Sequence, residues 1–291
     1  MAVVEEQIKP TRPILRYHGG KWLLASWIIS NFPPHRVYTE AFGGAASVLI
    51  QKPRTYGEIY NDLDGEVCNL FRVLRDPAQA RELKRLIGLT PFARTEFETS
   101  YLPDGDPIEQ ARRTVIRSFM GFVSAAASGH KTGFRPKANN SGTTPARDWA
   151  NYPDAIAILS ERLRGVVIEN KPAVSVMEQH DGPQTLHYVD PPYVLETRSP
   201  KKRTSPLYRF ELKREDHCEL AETLRSLKGM VVLSGYPCDL YDRGLYPDWQ
   251  RIEREAVADG ARARTEVLWF NDLAWERRAS AQSTLSFEAF A

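Results

Sequence analysis

The chain has 291 residues, of which 42% are hydrophobic, and its 39 basic and 37 acidic residues leave a formal net charge of +2. This composition supports a folded core and excludes a largely disordered chain, while the small net charge neither requires nor excludes a nucleic-acid partner. No apolar run is long enough to span a bilayer, and we expect no secretory signal. The cysteines (Cys68, Cys218 and Cys238) are widely spaced and odd in number, so we expect neither a disulfide framework nor a zinc site. Such cysteine usage predicts a protein of the reducing cytoplasm.

Short runs of β-branched and aromatic residues alternate with helical patterns along most of the chain. The predicted strands are Val37–Glu40, Glu58–Asn61, Val166–Glu169, Leu186–Asp190, Met230–Ser234, Ile252–Val257 and Glu266–Phe270. Alternation of strands and helices predicts an α/β fold with a mostly parallel sheet that is covered on both faces. A short polar link joins the last two strands and leaves no room for a helix, so these strands predict a hairpin with an antiparallel last strand.

Apolar residues at helical spacing lie between most of these strands. The predicted helices are Lys21–Ser30, Ala45–Gln51, Leu63–Arg75, Ala78–Ile87, Ile108–Ala127, Pro153–Arg164 and Glu211–Leu227. The interval from Asp76 to Gly165 is too long for one crossover and contains no convincing strand. It therefore predicts a helical insertion between the second and third strands, with one domain formed by residues 1–75 and 166–291 and another by residues 76–165.

A glycine pair precedes the first predicted helix, in Arg16-Tyr17-His18-Gly19-Gly20-Lys21. Glycine allows the backbone to approach a ligand closely, and a helix N-terminus offers N–H groups to a carboxylate. Lys21 would add a positive charge to such a site. An ordinary Gly-Gly turn is the alternative reading of this segment.

A second glycine pair follows the first predicted strand, in Tyr38-Thr39-Glu40-Ala41-Phe42-Gly43-Gly44. A strand that runs into a tight glycine turn is typical of the first strand of a nucleotide-binding sheet. The segment matches neither the Gly-x-Gly-x-x-Gly dinucleotide fingerprint nor the phosphate-binding loop pattern. A purely structural strand and turn is an equally open interpretation.

An acidic pair, Asp62 and Asp64, follows the second predicted strand. An acidic residue at this place in a nucleotide-binding sheet accepts hydrogen bonds from both ribose hydroxyls of an adenosine, and Asp62 is the candidate. Capping of the following helix by Asn61 or Asp62 is the alternative, and the two roles are compatible.

The fourth predicted strand ends in Asp190-Pro191-Pro192-Tyr193. Consecutive prolines cannot donate to a strand ladder, so the sheet must end here, at the edge where open α/β sheets bind their ligands. The Asp190 carboxylate and the Pro191 carbonyl are two acceptors beside the aromatic ring of Tyr193. This set suits a planar amino group, whose delocalised lone pair has to be directed at a methyl donor.

Taken in order, Tyr17–Lys21, Glu40–Gly44, Asn61–Asp62 and Asp190–Tyr193 resemble the Dam-type family of DNA adenine N6-methyltransferases, most closely its phage and prophage members. The resemblance extends from about Pro13 to Asn271. It implies a Rossmann-like class I methyltransferase sheet of about seven strands, the last antiparallel, with a helical target-recognition domain in the insertion. The implied reaction is methyl transfer from S-adenosylmethionine to N6 of adenine in duplex DNA, after the base has rotated out of the helix.

The resemblance also implies roles for individual residues. Tyr17 and Lys21 would bind the methionine end of the cofactor, and Asp62 would bind its ribose. Near the cofactor adenine, where the family usually has an acidic residue, Glu169, Asn170 or backbone groups would make the contact. The residues expected to bind S-adenosylmethionine are Tyr17, Gly20, Lys21, Glu40, Phe42, Gly43, Gly44, Asp62 and Asp190. The residues expected at the reacting atoms are Asp190, Pro191, Pro192 and Tyr193.

Two basic segments are the candidates for DNA contacts. One, Thr197–Arg209, follows the Asp-Pro-Pro-Tyr motif closely and contains no acidic residue. The other lies in a loop of the insertion that is rich in Gly, Asn and Ser. Such charges suit phosphate contacts around a flipped base, although charge runs are also common on solvated faces. The residues expected to contact DNA are Lys131, Arg135, Lys137, Arg198, Lys201, Lys202 and Arg203.

Two other functions remain open for this sequence. One is amino-methylation of RNA or of a protein glutamine amide, and the other is a catalytically silent DNA-binding protein that has kept the fold. We expect S-adenosylmethionine as cofactor, double-stranded DNA as partner, no metal ion and no membrane. We further expect a monomer, with a dimer as the alternative, in the cytoplasm of a bacterium or a phage-infected host.

Overall fold

The computed structural model describes residues 10–122, 131–136, 143–198, 208–258 and 262–288. These residues form two compact units. The sheet unit comprises Lys21–Gly43, Lys52–Asp64 and the described residues from Val166 onward. The helical unit comprises the described residues up to Gly20, Gly44–Gln51 and Gly65–Gly165. Since this division follows packing alone, the predicted domain limits of 1–75 with 166–291 and of 76–165 stay a prediction.

The described part of the sheet unit contains one seven-stranded sheet with the order β3-β2-β1-β4-β5-β7-β6. Strands β1 to β5 are parallel, and β7 pairs antiparallel with both β5 and β6. The strands are β1 Val37–Glu40, β2 Gly57–Asn61, β3 Val166–Glu169, β4 Thr185–Val189, β5 Met230–Gly235, β6 Gln250–Ala258 and β7 Arg262–Phe270. The predicted α/β fold class, with its antiparallel last strand, is confirmed.

The strand order changes direction between β1 and β4. The chain runs outward from β1 to β2 and β3, and then returns to pair β4 with the opposite side of β1. Glu40 at the end of β1 is in register with Tyr188 on β4. In an open α/β sheet, ligands bind outside the carboxyl ends of the strands at such a reversal. The ends of β1 and β4 are therefore the edge of this sheet where a site is expected.

Strand β4 is buried along its whole length, as parallel strands between two helical layers are. Its histidine, His187, lies inside the apolar sheet, with Nδ1 2.8 Å from Thr39 Oγ1 and Nε2 3.3 Å from Asp181 Oδ1. Burial lowers the pKa of His187 to about 4, so the ring is neutral at neutral pH. Because Thr39 and His187 are fully buried, this Asp-His-Thr chain satisfies polar groups of the core.

Helices connect the strands and make up most of the helical unit. In chain order they are α1 Ala25–Ser30, α2 Gly65–Arg75, α3 Pro77–Leu89, α4 Arg94–Thr99, α5 Pro107–Met120, α6 Pro145–Ala150, α7 Tyr152–Leu163, α8 Ala173–Gln179, α9 Arg214–Ser226 and α10 Asp272–Glu288. A 3₁₀ turn at Leu195–Thr197 and a π-helical turn at Leu240–Leu245 complete the described elements. Along the described ranges, no helix combines the length and the apolar character that crossing a membrane requires.

Three helices of the helical unit start at a capping residue followed by proline. Asp76 accepts the N–H groups of Ala78 and Gln79 at the start of α3. Asp106 caps α5 and Thr144 caps α6 in the same way, each directly before a proline. The cap satisfies N–H groups that the first turn leaves free, and proline has the backbone angle that the first helical position needs. The predicted helices at Ala78 and Ile108 begin one residue after α3 and α5 do, and α6 was not predicted.

Three of the predicted helices differ from the structure by four residues or more. The helix predicted at Lys21–Ser30 begins only at Ala25, after turns at residues 22–24. Ala45–Gln51, predicted as a helix, forms turns, because Gly44 and Ala46 adopt left-handed φ angles of 47° and 51° that break helical geometry. The helix predicted at Ile108–Ala127 ends at Met120, and residues 123–127 lie outside the described part.

Candidate active site

A buried lysine begins the sheet unit just before α1. Lys21 is 7% exposed, and its Nζ lies 2.8 Å from Asp190 Oδ2 and 3.8 Å from Glu266 Oε1. Burial alone would lower the pKa of Lys21, but the two carboxylates raise it above its ordinary value. Lys21 is therefore a cation held between two acidic groups.

Asp190 is the first residue beyond β4, because Pro191 and Pro192 end the ladder. Its carboxylate accepts a second contact from Ser234 on β5, whose Oγ lies 3.2 Å from Asp190 Oδ1. The side chain is 16% exposed, so a reactant can reach it. The carboxylate is thus fixed from two sides by residues of the same unit.

The ring of Tyr193 lies against the same cation. Lys21 Nζ is 4.7 Å from the ring centroid, and the ring of Tyr236 meets it edge to face at 4.6 Å. The Tyr193 hydroxyl donates to Glu266 and lies 3.1 Å from Ser234 Oγ. Burial raises the pKa of Tyr193 well above its ordinary value, so the hydroxyl keeps its proton and acts as a donor.

Glu266 on β7 completes this cluster, and sequence reasoning did not include it among the site residues. Its side chain is nearly fully buried, and burial raises its pKa, although the Lys21 charge opposes this rise. An acidic residue that begins the apolar run Val267–Phe270 was the available signal. Ser234 was also missed, and its available signal was a single polar side chain in the otherwise apolar β5.

The carboxyl end of β1 holds a second buried acidic group. Glu40 is 3% exposed and its Oε2 accepts the hydroxyl of Tyr38 at 2.8 Å. Phe42 packs on the hydrophobic core of the sheet unit. A Cβ on Gly43 would lie 2.1 Å from the Tyr60 ring, so only glycine fits there.

Asp62 follows β2 at half-buried depth, and its Oδ1 accepts the N–H of Asp64 at 2.8 Å. Its carbonyl accepts the side-chain amide of Asn170 at 2.8 Å. The loop before α2 is thus tied to the end of β3, where Asn61 also bonds the backbone of Lys171. The bond between Asp62 and Asp64 closes a turn before α2 and does not reach an N–H of the helix. The predicted contact of Asp62 with a ribose stays a prediction.

The remaining predicted cofactor residues belong to the helical unit. Gly44 has a φ angle of 47°, and a Cβ there would lie 2.7 Å from the Tyr17 ring. The N–H of Gly20 donates to the Tyr17 carbonyl at 3.1 Å. Close contact with Tyr17 and the left-handed φ angle require glycine at Gly44, whereas a Cβ at Gly20 would lie 3.1 Å from the Tyr17 carbonyl oxygen.

Arg198, predicted to contact DNA, is 6% exposed and is bound inside the protein. Its guanidinium forms two hydrogen bonds with Glu211 and two with the Tyr193 carbonyl, at 2.6–3.1 Å. A phosphate contact would require this bidentate pair to open, so the arrangement favours a role in holding the segment after Tyr193.

The loop of the insertion is described in part. Lys131 is exposed, with Nζ 5.7 Å from the Tyr101 ring, and Arg135 is half-buried, with its N–H bonded to the Met120 carbonyl. Between them, Phe134 packs on Phe92 and Phe97. The predicted contacts at Lys137, Lys201, Lys202 and Arg203 lie outside the described residues.

Three arginines on α5 are engaged by acidic residues within the helical unit. Arg112 pairs with Glu109 and Glu96, Arg113 with Glu109 and Asp104, and Arg117 with Glu66. Burial and paired charge give them a structural role in joining α5 to its neighbours.

Comparison with known proteins agrees with this geometry. The model of the D12 class of N6 adenine-specific DNA methyltransferases matches residues 17–257, which include all four motifs. A search of curated proteins found no match. The match spans well over half of the chain, and the seven-stranded sheet is consistent with a Rossmann-like methyltransferase fold. The chain therefore belongs to the D12 class N6 adenine-specific DNA methyltransferase family.

Proposed function

We propose that the protein transfers a methyl group from S-adenosylmethionine to N6 of adenine in duplex DNA, after the adenine has rotated out of the helix. The observation that carries this proposal is the position of Asp190–Tyr193. The motif leaves β4 beside β1, where the strand order reverses, and its carboxylate is held by the buried cation of Lys21. Ligands of open α/β sheets bind at this edge.

The residues at the ends of β1 and β2 fit S-adenosylmethionine, the cofactor of this family. It supplies an electrophilic methyl group on a molecule that also carries an ammonium group and a ribose. Glu40 offers a buried carboxylate to a cation, and Asp62 offers a half-buried carboxylate to hydroxyl groups. Gly43 keeps the turn close to the sheet because a Cβ has no space there. Binding of the cofactor by the other predicted residues stays a prediction, for Tyr17, Gly20, Lys21, Phe42 and Gly44.

Asp190 supplies the acceptor for the target amine. An ionised carboxylate has about four lone-pair sites, and Lys21 and Ser234 occupy only part of them. The rest accept the amine N–H groups together with the Pro191 carbonyl, which directs the nitrogen lone pair away from the ring and toward the methyl donor. Tyr193 offers its aromatic face for stacking of the flipped adenine.

Double-stranded DNA is the proposed substrate form, recognised by the helical insertion between β2 and β3. Lys131 and Arg135 lie in its loop, and the basic run after Tyr193 is the second proposed contact region. Phosphate contacts in both regions offset the free energy needed to unstack a base, which is a few kcal/mol.

A competition assay tests the substrate class. The protein is incubated with labelled S-adenosylmethionine and a mixture of duplex DNA, structured RNA and protein extract, and the label in each fraction is counted. We expect the label in DNA, because the family acts on DNA. Label that enters only RNA or protein contradicts the proposal. Bound cofactor without transfer to any fraction indicates a silent DNA-binding protein.

A further inference from the structure

The candidate active site holds a further carboxylate, Glu266, to which the proposed function assigns no role. It lies on β7, outside residues 17–257 that match the family. It is 3% exposed in a sheet whose other residues nearby, Val267 and Leu268, are fully buried and apolar. A buried acidic group in such surroundings needs partners, since an isolated charge there is strongly unfavourable.

Its partners are the residues of the proposed reaction. The Tyr193 hydroxyl donates directly to Glu266. Ser234 Oγ lies 3.2 Å from Glu266 Oε1 and also 3.2 Å from Asp190 Oδ1, so it joins the two carboxylates. Lys21 lies between them, 2.8 Å from Asp190 and 3.8 Å from Glu266. Both functional ends of the motif, the Asp190 carboxylate and the Tyr193 ring, are therefore tied to Glu266.

We propose that Glu266 is a positioning residue for methyl transfer, which orients the Tyr193 ring through its hydroxyl and the Asp190 carboxylate through Ser234 and Lys21. The inference rests on the proposed function, because it assigns the orientation of groups that contact the flipped adenine. Groups that are held in place before the substrate binds need no reorganisation during the reaction.

A purely structural role does not account for Glu266. Lys21 already has a closer partner in Asp190, so its charge is compensated without Glu266. Burial raises the pKa of Glu266, which means that its ionised form is less favourable in the fold than in the unfolded chain. The contribution of Glu266 to the stability of the fold is therefore present at low pH and is lost as pH rises through the folded pKa. Ionisation of Glu266 thus works against stability, as functional groups commonly do.

Glu266→Gln tests the proposal, because glutamine keeps the shape and loses the charge. With labelled cofactor bound beforehand, we expect the single-turnover rate on duplex DNA to fall about 10- to 100-fold. Cofactor affinity should change less than the rate does, since Glu266 bonds Tyr193 directly and lies 3.8 Å from Lys21, a predicted cofactor residue. The melting temperature of Glu266→Gln should stay equal or rise, because glutamine removes a charge that is less favourable in the fold than in the unfolded chain.

A double mutant tests the route through Tyr193. Tyr193→Phe removes the hydroxyl, so Glu266→Gln added to it should lower the rate much less than Glu266→Gln alone does. Glu266→Asp, which keeps the charge on a shorter side chain, should be faster than Glu266→Gln. If the fold-reductions in rate caused by Tyr193→Phe and by Glu266→Gln multiply in the double mutant, the two changes act independently. This result overturns the route through Tyr193.

Glu58→Gln is the matched control. Glu58 is 4% exposed and pairs with the buried Lys52 at 2.8 Å, in the same unit but at the start of β2. We expect a lower melting temperature and an unchanged rate per folded molecule, since a buried lysine loses its partner far from the site.

The outcomes separate the two proposals. Transfer by the wild-type protein together with a wild-type rate in Glu266→Gln overturns the positioning role alone. A slower rate that accompanies a lower melting temperature, with Glu266→Asp no faster, also overturns it, because this is the result of a structural role. Failure of the wild-type protein to methylate DNA contradicts the proposed function and the inference that rests on it.

Discussion

Replacing Asp190 by asparagine is expected to lower the rate of methyl transfer about 100- to 1,000-fold, which corresponds to about 2.7–4 kcal/mol of lost transition-state stabilisation. Asparagine has the same shape, but its amide N–H₂ replaces one acceptor oxygen, so the target amine meets a donor. The charge that favours the developing positive charge on the nitrogen is lost as well. Lys21 keeps Glu266 as an acidic partner at 3.8 Å, so we expect the variant to fold.

The rate is measured in single turnovers with labelled cofactor, and cofactor affinity is measured separately. Asp248→Asn is the control, because Asp248 is an exposed residue of the sheet unit that pairs with Arg225 on α9. The methyl-transfer rate of Asp248→Asn should equal that of the wild-type protein. A rate for Asp190→Asn within threefold of wild type would show that Asp190 does not contact the reacting amine.

Gly43→Ala should abolish measurable cofactor binding at concentrations about tenfold above the wild-type dissociation constant, and should lower the free energy of unfolding by about 1–3 kcal/mol. The added Cβ would lie 2.1 Å from the buried Tyr60 ring and 2.8 Å from the Asn61 carbonyl. Since the Gly43 N–H donates to that same carbonyl at 2.7 Å, the turn cannot move away without losing the bond. The turn is displaced from the end of β1, beside Glu40.

Gly88→Ala is the matched control for this change. Gly88 lies on α3, and an added Cβ there meets nothing within 4 Å. Alanine in a helix is better than glycine by roughly 0.5–1 kcal/mol, so this variant should be more stable and bind the cofactor normally. Titration calorimetry and thermal melts measure both quantities. If Gly43→Ala bound the cofactor with wild-type affinity, the Phe42–Gly44 turn would not belong to the cofactor site.

Much of the sheet could be predicted from sequence because its strands are short apolar runs with clear ends. Val37–Glu40 and Val166–Glu169 were predicted with the limits that the structure has. The antiparallel β7 followed from a link too short for a helix. The order of the strands, and with it the reversal between β1 and β4, depends on contacts between distant segments, which local patterns do not contain.

The candidate site shows the same limit. Asp190–Tyr193 could be predicted because two prolines and an acidic residue after a strand form an unusual local pattern. Glu266 and Ser234 could not, since each is a single polar residue in an apolar strand and acquires meaning only beside Asp190. Ala45–Gln51 failed for a local reason, because small residues favour a helix while left-handed φ angles at Gly44 and Ala46 prevent one.

The basic residues show what charge alone leaves open. Arg198 lies in a basic run and was predicted to contact phosphate, yet Glu211, thirteen residues further along the chain, binds its guanidinium. Arg112 and Arg113 on α5 are likewise bound by Glu109 on the same helix. A basic residue is a strong candidate for DNA contact only when no acidic neighbour within the fold already binds it.

The identity of the modified base tests the central claim most directly. Duplex DNA of mixed sequence is methylated with labelled S-adenosylmethionine, digested to nucleosides and separated beside standards. The account predicts that the label is found in N6-methyldeoxyadenosine, and that it disappears with Asp190→Asn. Label in a cytosine derivative, or undiminished N6-methyldeoxyadenosine in the Asp190→Asn reaction, would contradict it.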